Sequence, residues 1–422
     1  MPARKPHTAS VSAPSVPLPR VYSTRLHAVL YSLLLIATPF LLLRAYLVNA
    51  IGVLSTTKAE VFGFEFAVVP VVAVVVGLIL GVWYRRQITG PRILGVLAAI
   101  GMIALAQQIT DFYFGHNFYD LQQNWHYIAY GIFAFMLFRD LAPRGVRESR
   151  VMLVTSLIAL GFSAFDELAQ VFLSARVFDV SDIAKDYWGT QAGIVLLYCG
   201  RHTWTELRDD WKKLHFGPIT EYFRRPATTL LAQLLFGLIF LNVASLFTEL
   251  RHLSVVILLA VALFVIVFSL WHLARRRHMR YVIVGVIVVL LLAQGVAWAT
   301  YQGEGIVHQQ DGLTIYNGIV IPVFDVLIYP DGGFRLVDKK HSFNFRDQDF
   351  FLRQSPDILL VASGHNGNGA RGFPDETTRF VYNEYIARGT QVVILKTPDA
   401  CRLYNRLLQE GKRVLFVLHS TC

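Results

Sequence analysis

A series of long apolar runs is the feature that most constrains how this chain folds. The runs lie at about 26–48, 67–84, 93–109, 126–142, 151–173, 187–200, 227–246, 253–274 and 281–300. Several approach the ~20 residues that an α-helix needs to cross the hydrocarbon of a bilayer. The sequence therefore predicts a polytopic α-helical membrane bundle of about nine transmembrane helices, in which 187–200 is the shortest run.

The distribution of charge predicts an orientation for these helices. The net charge is +10, but residues 301–422 hold 13 basic and 13 acidic side chains, so all of the excess lies upstream. With the N-terminus in the cytoplasm, the predicted inner segments hold 21 of the 26 upstream basic residues, as the positive-inside rule requires. We therefore expect a multi-pass protein of the cytoplasmic (inner) membrane whose C-terminal domain lies outside the cytoplasm, and no nucleic-acid partner.

Composition divides the chain into five segments. Residues 1–22 form a predicted disordered basic arm, 23–200 a first transmembrane domain, 201–226 an amphipathic cytoplasmic linker, 227–300 additional transmembrane helices, and 301–422 a small soluble α/β domain. In the last segment we expect strands at 313–321, 326–329, 357–362, 391–395 and 413–418, and helices at 378–388 and 399–410. Alternating strands and helices favour a mainly parallel sheet.

Ionisable residues near the ends of three apolar runs are not explained by hydrophobicity. Polar groups at such depths are costly and therefore indicate a functional site. The candidate polar cluster consists of His126, Tyr130, Asp166, Glu167, Gln170, Arg176, Asp182 and Asp186. With the predicted topology all of them fall at one membrane face, and Gly189 and Gly193 allow another helix to approach closely. The cluster lacks the histidine or cysteine pairs of a transition-metal site, so we expect no metal and no cofactor.

The order of these polar residues resembles a known family. His126-x-x-x-Tyr130, Asp166-Glu167-Leu-Ala-Gln170, Arg176 and Asp182-x-x-x-Asp186-x-x-Gly189 are similar to the VanZ-like membrane proteins, over about residues 25–200. The resemblance implies a cell-envelope protein, since the prototype of the family is associated with low-level resistance to the glycopeptide teicoplanin. The family usually has Asn where Asp186 stands.

Three classes of function remain open for the cluster. It is a receptor for a membrane lipid or a lipid-linked envelope precursor at the outer leaflet, or a hydrolase or transferase in which Asp166 or Glu167 acts as general base with His126. In the enzyme, Arg176 would hold an anionic head group. The third class is a scaffold, in which the polar residues only fix helix packing and the α/β domain binds a protein partner. We expect that the protein is not an enzyme.

The C-terminal segment resembles a second family. Its sharpest feature is Thr397-Pro-Asp-Ala-Cys401-Arg-Leu-Tyr404-Asn405, which is similar to a small α/β family that includes a mitochondrial complex I assembly factor and an adipogenesis-associated protein. The resemblance implies a binding or assembly module. Gly367-x-Gly369-x-x-Gly372 matches a dinucleotide fingerprint only formally, because Pro374 intervenes before any helix, and a tight surface loop is the simpler interpretation. Cys401 is either a thiol with a lowered pKa near a helix N-terminus or a small buried residue.

Overall fold

A computed structural model describes residues 53, 57–61, 64–110, 121–142, 145–171, 178–212, 218–373 and 378–421. The predicted basic arm, the first apolar run and Arg176 lie outside the described residues. A hairpin of β1 (Lys58–Val61) and β2 (Phe64–Ala67) precedes the helices. The helices are α1 (Val68–Trp83), α2 (Gly90–Ile109), α3 (Leu121–Leu141), α4 (Glu148–Gln170), α5 (Val180–Arg201), α6 (Trp204–Lys212), α7 (Ile219–Tyr222), α8 (Pro226–Leu246), α9 (Leu253–Leu273) and α10 (Arg277–Tyr301).

The membrane class is confirmed, whereas a count of nine spans is not. Within the described residues, five helices are long and apolar enough to cross a membrane, namely α2, α4, α8, α9 and α10. Helix α5 is 22 residues long and almost entirely buried among its neighbours. It begins seven residues before the predicted run at 187, because its first two turns carry polar side chains that hydropathy does not recognise as helix.

The predicted cytoplasmic linker contains two short helices, α6 and α7. Leu207 of α6 is buried, and Asp210 accepts hydrogen bonds from the Tyr198 hydroxyl at 2.7 Å and from the Ala227 N–H at 3.0 Å. These contacts tie the segment to the ends of α5 and α8. The linker is therefore a packed element of the bundle.

The described residues of the C-terminal domain form two sheets and two helices. A three-stranded antiparallel sheet consists of β3 (Ile306–Gln310), β4 (Leu313–Tyr316) and β5 (Ile319–Pro322). The larger sheet has the order β7-β6-β11-β8-β10-β9, formed by β6 (Asp325–Ile328), β7 (Phe334–Val337), β8 (Ile358–Ala362), β9 (Thr378–Asn383), β10 (Arg388–Leu395) and β11 (Val414–Leu418). Helices α11 (Phe345–Arg353) and α12 (Thr397–Gln409) complete the domain. Only β8 with β10 and β8 with β11 pair in parallel, so the prediction of a mainly parallel sheet is wrong.

Two element predictions in this domain are also wrong. The segment at 313–321 is two strands, because Asn317 and Gly318 both have positive φ and turn the chain back in a tight hairpin. The segment at 378–388 was predicted as a helix but begins with strand β9, which pairs antiparallel with β10. Its alternating Thr378, Phe380 and Tyr382 favour an extended edge strand over a helix.

The C-terminal domain packs against one end of the helical bundle. The backbone N–H of Lys339 donates to the Leu246 carbonyl at 3.1 Å, and the Thr248 hydroxyl donates to Asp338 Oδ2 at 2.8 Å. Gln294 of α10 donates to the Gly318 carbonyl at 2.9 Å. This end also carries the start of α5, since the Val180 N–H donates to the Thr248 carbonyl. We call it the cluster end of the bundle.

Candidate functional site

Close packing of α3 against α5 brings the polar residues together. A Cβ added at Gly189 would lie 2.7 Å from the Tyr127 Cα, and one at Gly193 would lie 2.5 Å from the Gly131 carbonyl oxygen. Only glycine permits backbones to approach so closely. The predicted role of the two glycines is confirmed, and α3 is the helix that they admit.

The centre of the site is a carboxylate shared by two partners. Asp186 on α5 has one oxygen 2.9 Å from Nδ1 of His126 on α3, and its other oxygen accepts a hydrogen bond of 2.6 Å from the hydroxyl of Ser163 on α4. The Asp186 side chain is 3% exposed, and Ser163 is fully buried. Three helices are therefore joined by one buried carboxylate.

The outer part of the site is partly open. Asp182 lies one turn before Asp186, with Oδ2 at 3.6 Å from Nε2 of His126 and Oδ1 at 3.0 Å from the ammonium of Lys185. The side chains of His126 and Asp182 are each 22% exposed, whereas Lys185 is buried. The imidazole of His126 and the carboxylate of Asp182 thus reach the surface, and the buried side chains of Asp186 and Lys185 contact them from inside the bundle.

Two acidic residues lie in the last turn of α4. Glu167 is buried, and its Oε2 accepts a hydrogen bond of 3.1 Å from the N–H of Asp179, the N-cap residue of α5. Asp166, one position earlier, is partly exposed. Glu167 therefore connects the end of α4 to the start of α5. We call His126, Ser163, Glu167, Asp182, Lys185 and Asp186 the bundle cluster.

The remaining predicted site residues are placed less centrally. The Tyr130 hydroxyl is buried and forms no hydrogen bond with any described residue, and its ring packs edge-on against Phe133. Gln170 ends α4, and Arg176 lies outside the described residues. Ser163 and Lys185 were not predicted as site residues. Their spacing from Glu167 and from Asp182, four and three residues, was a signal that each shares a helix face with an acid.

A second polar cluster, which sequence reasoning missed, lies where the C-terminal domain meets the bundle. His419 lies between Asp325, which its Nδ1 contacts, and His341, whose Nε2 is 3.2 Å from its own Nε2. His341 in turn contacts Arg251 and lies 3.5 Å from Glu249, both on the loop between α8 and α9. These residues are far apart in sequence, so no local sequence motif indicated that they would be in contact.

A cavity of about 360 Å³ opens at this junction, lined by Glu249, Arg251, His341, Asn368 and Arg371. We call it the interdomain pocket. Burial, together with the charges of His419 and Arg251, lowers the pKa of His341 to about 4. Nearby, burial and the charge of Asp179 raise the pKa of Asp338 to about 7.

Cys401 has the simpler of its two predicted roles. It lies on α12, is 5% exposed and packs in the core of the domain, and burial raises the pKa of its thiol to about 12. A thiol with a raised pKa is a poor nucleophile at neutral pH. The alternative prediction of a lowered pKa is wrong.

The fold and the bundle cluster define a multi-pass helical membrane protein with an appended α/β domain. Residues 29–201 match the VanZ/LLP1 family, and residues 307–419 match the family described as protein of unknown function (DUF498/DUF598). The chain is thus similar to the VanZ/LLP1 family in its first part and to the DUF498/DUF598 family in its last part, and both predicted resemblances are confirmed.

No curated protein matches the chain. A solved structure named "MT938" is 19% identical over 28% of this chain and 98% of its own length, with a TM-score of 0.23.

Proposed function

We propose that the bundle cluster recognises the polar head group of a membrane lipid or lipid-linked envelope precursor. The observation that carries this proposal is the division of the cluster into a buried support and a partly exposed front. Asp186, fixed by Ser163, holds His126 in one orientation, while His126 and Asp182 reach the surface. The pair of His202 and Glu148 at the other end of α4 and α5 is exposed to a similar extent, but what distinguishes the cluster is the buried support of its front by Asp186, Ser163 and Lys185. Preorganised groups supported from behind are typical of binding sites.

The location of the site supports a ligand that arrives within the membrane. The cluster lies at one end of α4, whose length and composition suit a bilayer, and this supports a front at the depth of lipid head groups. The distribution of basic residues along the sequence favours a cytoplasmic N-terminus and so supports a cluster end at the outer leaflet of the inner membrane. The VanZ-type resemblance supports an envelope component as the ligand and tolerance to a glycopeptide as the cellular consequence.

Native mass spectrometry of lipids retained by the purified full-length protein tests the proposal. We expect one lipid class to be enriched on the wild type, and the H126N and D182N variants to lose at least roughly tenfold of that enrichment, since each removes a charge-assisted contact.

The matched control is H202N. His202 also pairs with an acid, Glu148, at 3.3 Å, but at the opposite end of α4 and α5. Equal loss in H202N, or no enrichment on the wild type, would contradict the proposal. Teicoplanin tolerance of cells that express each variant provides a second readout.

A hydrolase or transferase is the second candidate, and one observation favours it. Asp186 contacts Nδ1 of His126, and Nε2 faces the partly exposed Asp182 at 3.6 Å, so an imidazole and a carboxylate lie side by side at the front of the site. Under this mechanism Asp182 accepts the proton of an attacking hydroxyl or water, and the imidazole of His126, oriented by Asp186, is its proton partner. H126N would then retain the lipid yet abolish its turnover, whereas recognition alone predicts loss of retention and no turnover by the wild type.

A further inference from the structure

The interdomain pocket has the composition of an anion site. Two arginines, Arg251 from the membrane bundle and Arg371 from the C-terminal domain, face one cavity with Asn368. One acid, Glu249, lines the same cavity and pairs with Arg251 at 2.6 Å. The pocket therefore keeps an excess of one positive charge when empty.

Arg371 is the arginine of the pocket that is not paired with Glu249 and can therefore bind an anion. Its backbone is fixed, since its N–H donates to the His341 carbonyl at 2.9 Å and its carbonyl accepts from the Phe343 N–H at 2.7 Å. Its guanidinium forms no ion pair or hydrogen bond with any residue that the structure describes, and the same holds for the Asn368 amide. A pinned backbone with an unpaired guanidinium is suited to bidentate recognition of an oxyanion.

The position in the fold is a second, independent argument. Asn368 and Arg371 lie on the loop that follows β8, and His419 directly follows β11, which runs parallel to β8. In α/β sheets ligands bind outside the carboxyl ends of parallel strands. The glycine-rich loop is shaped for this place: Gly367 has positive φ, and a Cβ at Gly372 would meet the Phe343 carbonyl.

The inner wall of the pocket is held in a fixed state. Asp325 accepts from the Ser420 N–H at 2.9 Å and contacts His419, which in turn contacts His341. His341 is 9% exposed on its side chain. Because its pKa is lowered to about 4, it is uncharged at neutral pH and does not add to the positive charge of the pocket.

From these observations we infer that the interdomain pocket binds a phosphate group, held by Arg371, Arg251 and Asn368 across the junction of the two domains. Its volume of about 360 Å³ suits a phosphate or diphosphate with little else attached. A ligand here contacts the membrane bundle and the α/β domain at once, so its binding stabilises their association. This inference is independent of the bundle cluster, none of whose residues lines the pocket.

The test measures binding of pyrophosphate to the full-length protein in phosphatidylcholine nanodiscs by isothermal titration calorimetry. R371A is expected to weaken binding at least roughly tenfold, the cost of losing charge-assisted hydrogen bonds. The matched control is R402A, an exposed arginine on α12 that pairs with Asp399 away from the pocket, and it should bind as the wild type does.

A variant that is expected to bind pyrophosphate more tightly than the wild type distinguishes a lost binding site from a misfolded protein. E249Q deletes the acid in the pocket and releases Arg251, so it should bind pyrophosphate roughly threefold more tightly. A damaged fold cannot produce tighter binding. Absence of pyrophosphate binding by the wild type, or equal affinities of R371A and R402A, would overturn the inference.

A second arm identifies the source of the phosphate. The titration is repeated in nanodiscs that contain phosphatidic acid. Competition, seen as weaker apparent pyrophosphate binding that R371A abolishes, assigns the pocket to a lipid head group. Unchanged affinity assigns it to a soluble phosphate compound, and both outcomes support a phosphate site.

Discussion

The two ends of α4 and α5 use similar residues in opposite ways. At the end remote from the C-terminal domain, Glu148 begins α4 and pairs with His202 and Arg201 at the end of α5. An acid at a helix N-terminus and a base at a C-terminus both complement the helix dipole. At the cluster end, Glu167 and Asp166 lie in the last turn of α4, where the dipole disfavours negative charge.

The contrast concerns the two ends of α4, since Asp179 and Asp182 at the start of α5 agree with the dipole of that helix. The remote ion pairs are partly exposed and agree with the dipole, as stabilising pairs do. Glu167 is buried at the wrong end of its helix, and Asp186 is buried deep in the bundle. Residues that violate local rules are those expected at functional sites.

The largest expected effect comes from disturbing the helix approach that forms the cluster. G189A places a Cβ within 2.7 Å of the Tyr127 backbone, so we expect a loss of at least roughly 3 kcal/mol or failure to fold. G200A on the same helix, where nothing lies within 4 Å, should be tolerated. Thermal unfolding in detergent measures both, and similar melting temperatures would show that α3 and α5 do not meet in this way.

Removal of the shared carboxylate should be almost as damaging. D186A leaves Ser163 and His126 without their buried partner, which typically costs about 3 kcal/mol. E148A removes the acid at the remote end, whose side chain is 20% exposed, and should cost no more than about 1 kcal/mol. Chemical denaturation compares the two, and equal costs would remove the distinction between the ends.

Helical spacing and span topology are local rules, and they were sufficient to predict that His126, Glu167, Asp182 and Asp186 lie at the same end of the bundle. The side chain of His126 meets those of Asp182 and Asp186 because α3, α4 and α5 alternate in direction. The succession of long apolar runs in the sequence predicts this alternation. Which side chains touch was not predictable: Ser163 and Lys185 are partners only because of helix rotation. Packing of that kind is decided between segments distant in sequence.

In the C-terminal domain, contacts between segments distant in sequence determine more of the structure, so less of it could be predicted from the sequence. Strand β8 was predicted because a run of buried aliphatic residues needs no partner to be recognised. Strand β9 was wrongly predicted as a helix although Phe380 and Tyr382 alternate, because both side chains are exposed and the alternation therefore marks no buried face. Contacts between Asp325, His341 and His419 join strands and loops from all over the domain, so the interdomain pocket was beyond sequence reasoning.

A smaller effect concerns how pH affects the junction beside the cluster end. Asp338 accepts hydrogen bonds from Thr248, and burial and the charge of Asp179 raise its pKa from 3.8 to about 7, while Lys340 acts in the opposite direction. When the two domains are docked, the Asp338 carboxyl therefore binds a proton at pH values between about 4 and 7. When they are apart, the same carboxyl is exposed and does not bind this proton. Association of the domains should weaken as pH rises from about 4 through 7 and level off above, by roughly 1 kcal/mol between pH 6 and pH 7.

Limited proteolysis at the domain junction across pH 5 to 8 measures this change. D338N cannot ionise and should give protection that is independent of pH in this range. A wild type whose protection is flat, or rises, between pH 6 and 7 would contradict the assignment to Asp338.

The smallest predicted effect is that Glu→Gln substitutions at the two ends of α4 change the stability of the protein in opposite directions. E148Q removes a charge that the N-terminus of α4 favours and should destabilise the protein by about 0.5 kcal/mol. E167Q removes an acid whose ionised form the C-terminus of the same helix disfavours, and the amide oxygen still accepts the Asp179 N–H. We therefore expect E167Q to raise the melting temperature slightly while it lowers retention of the lipid. A fall in stability for both variants would mean that Glu167 is there for packing, and the contrast between the two ends would lose its functional meaning.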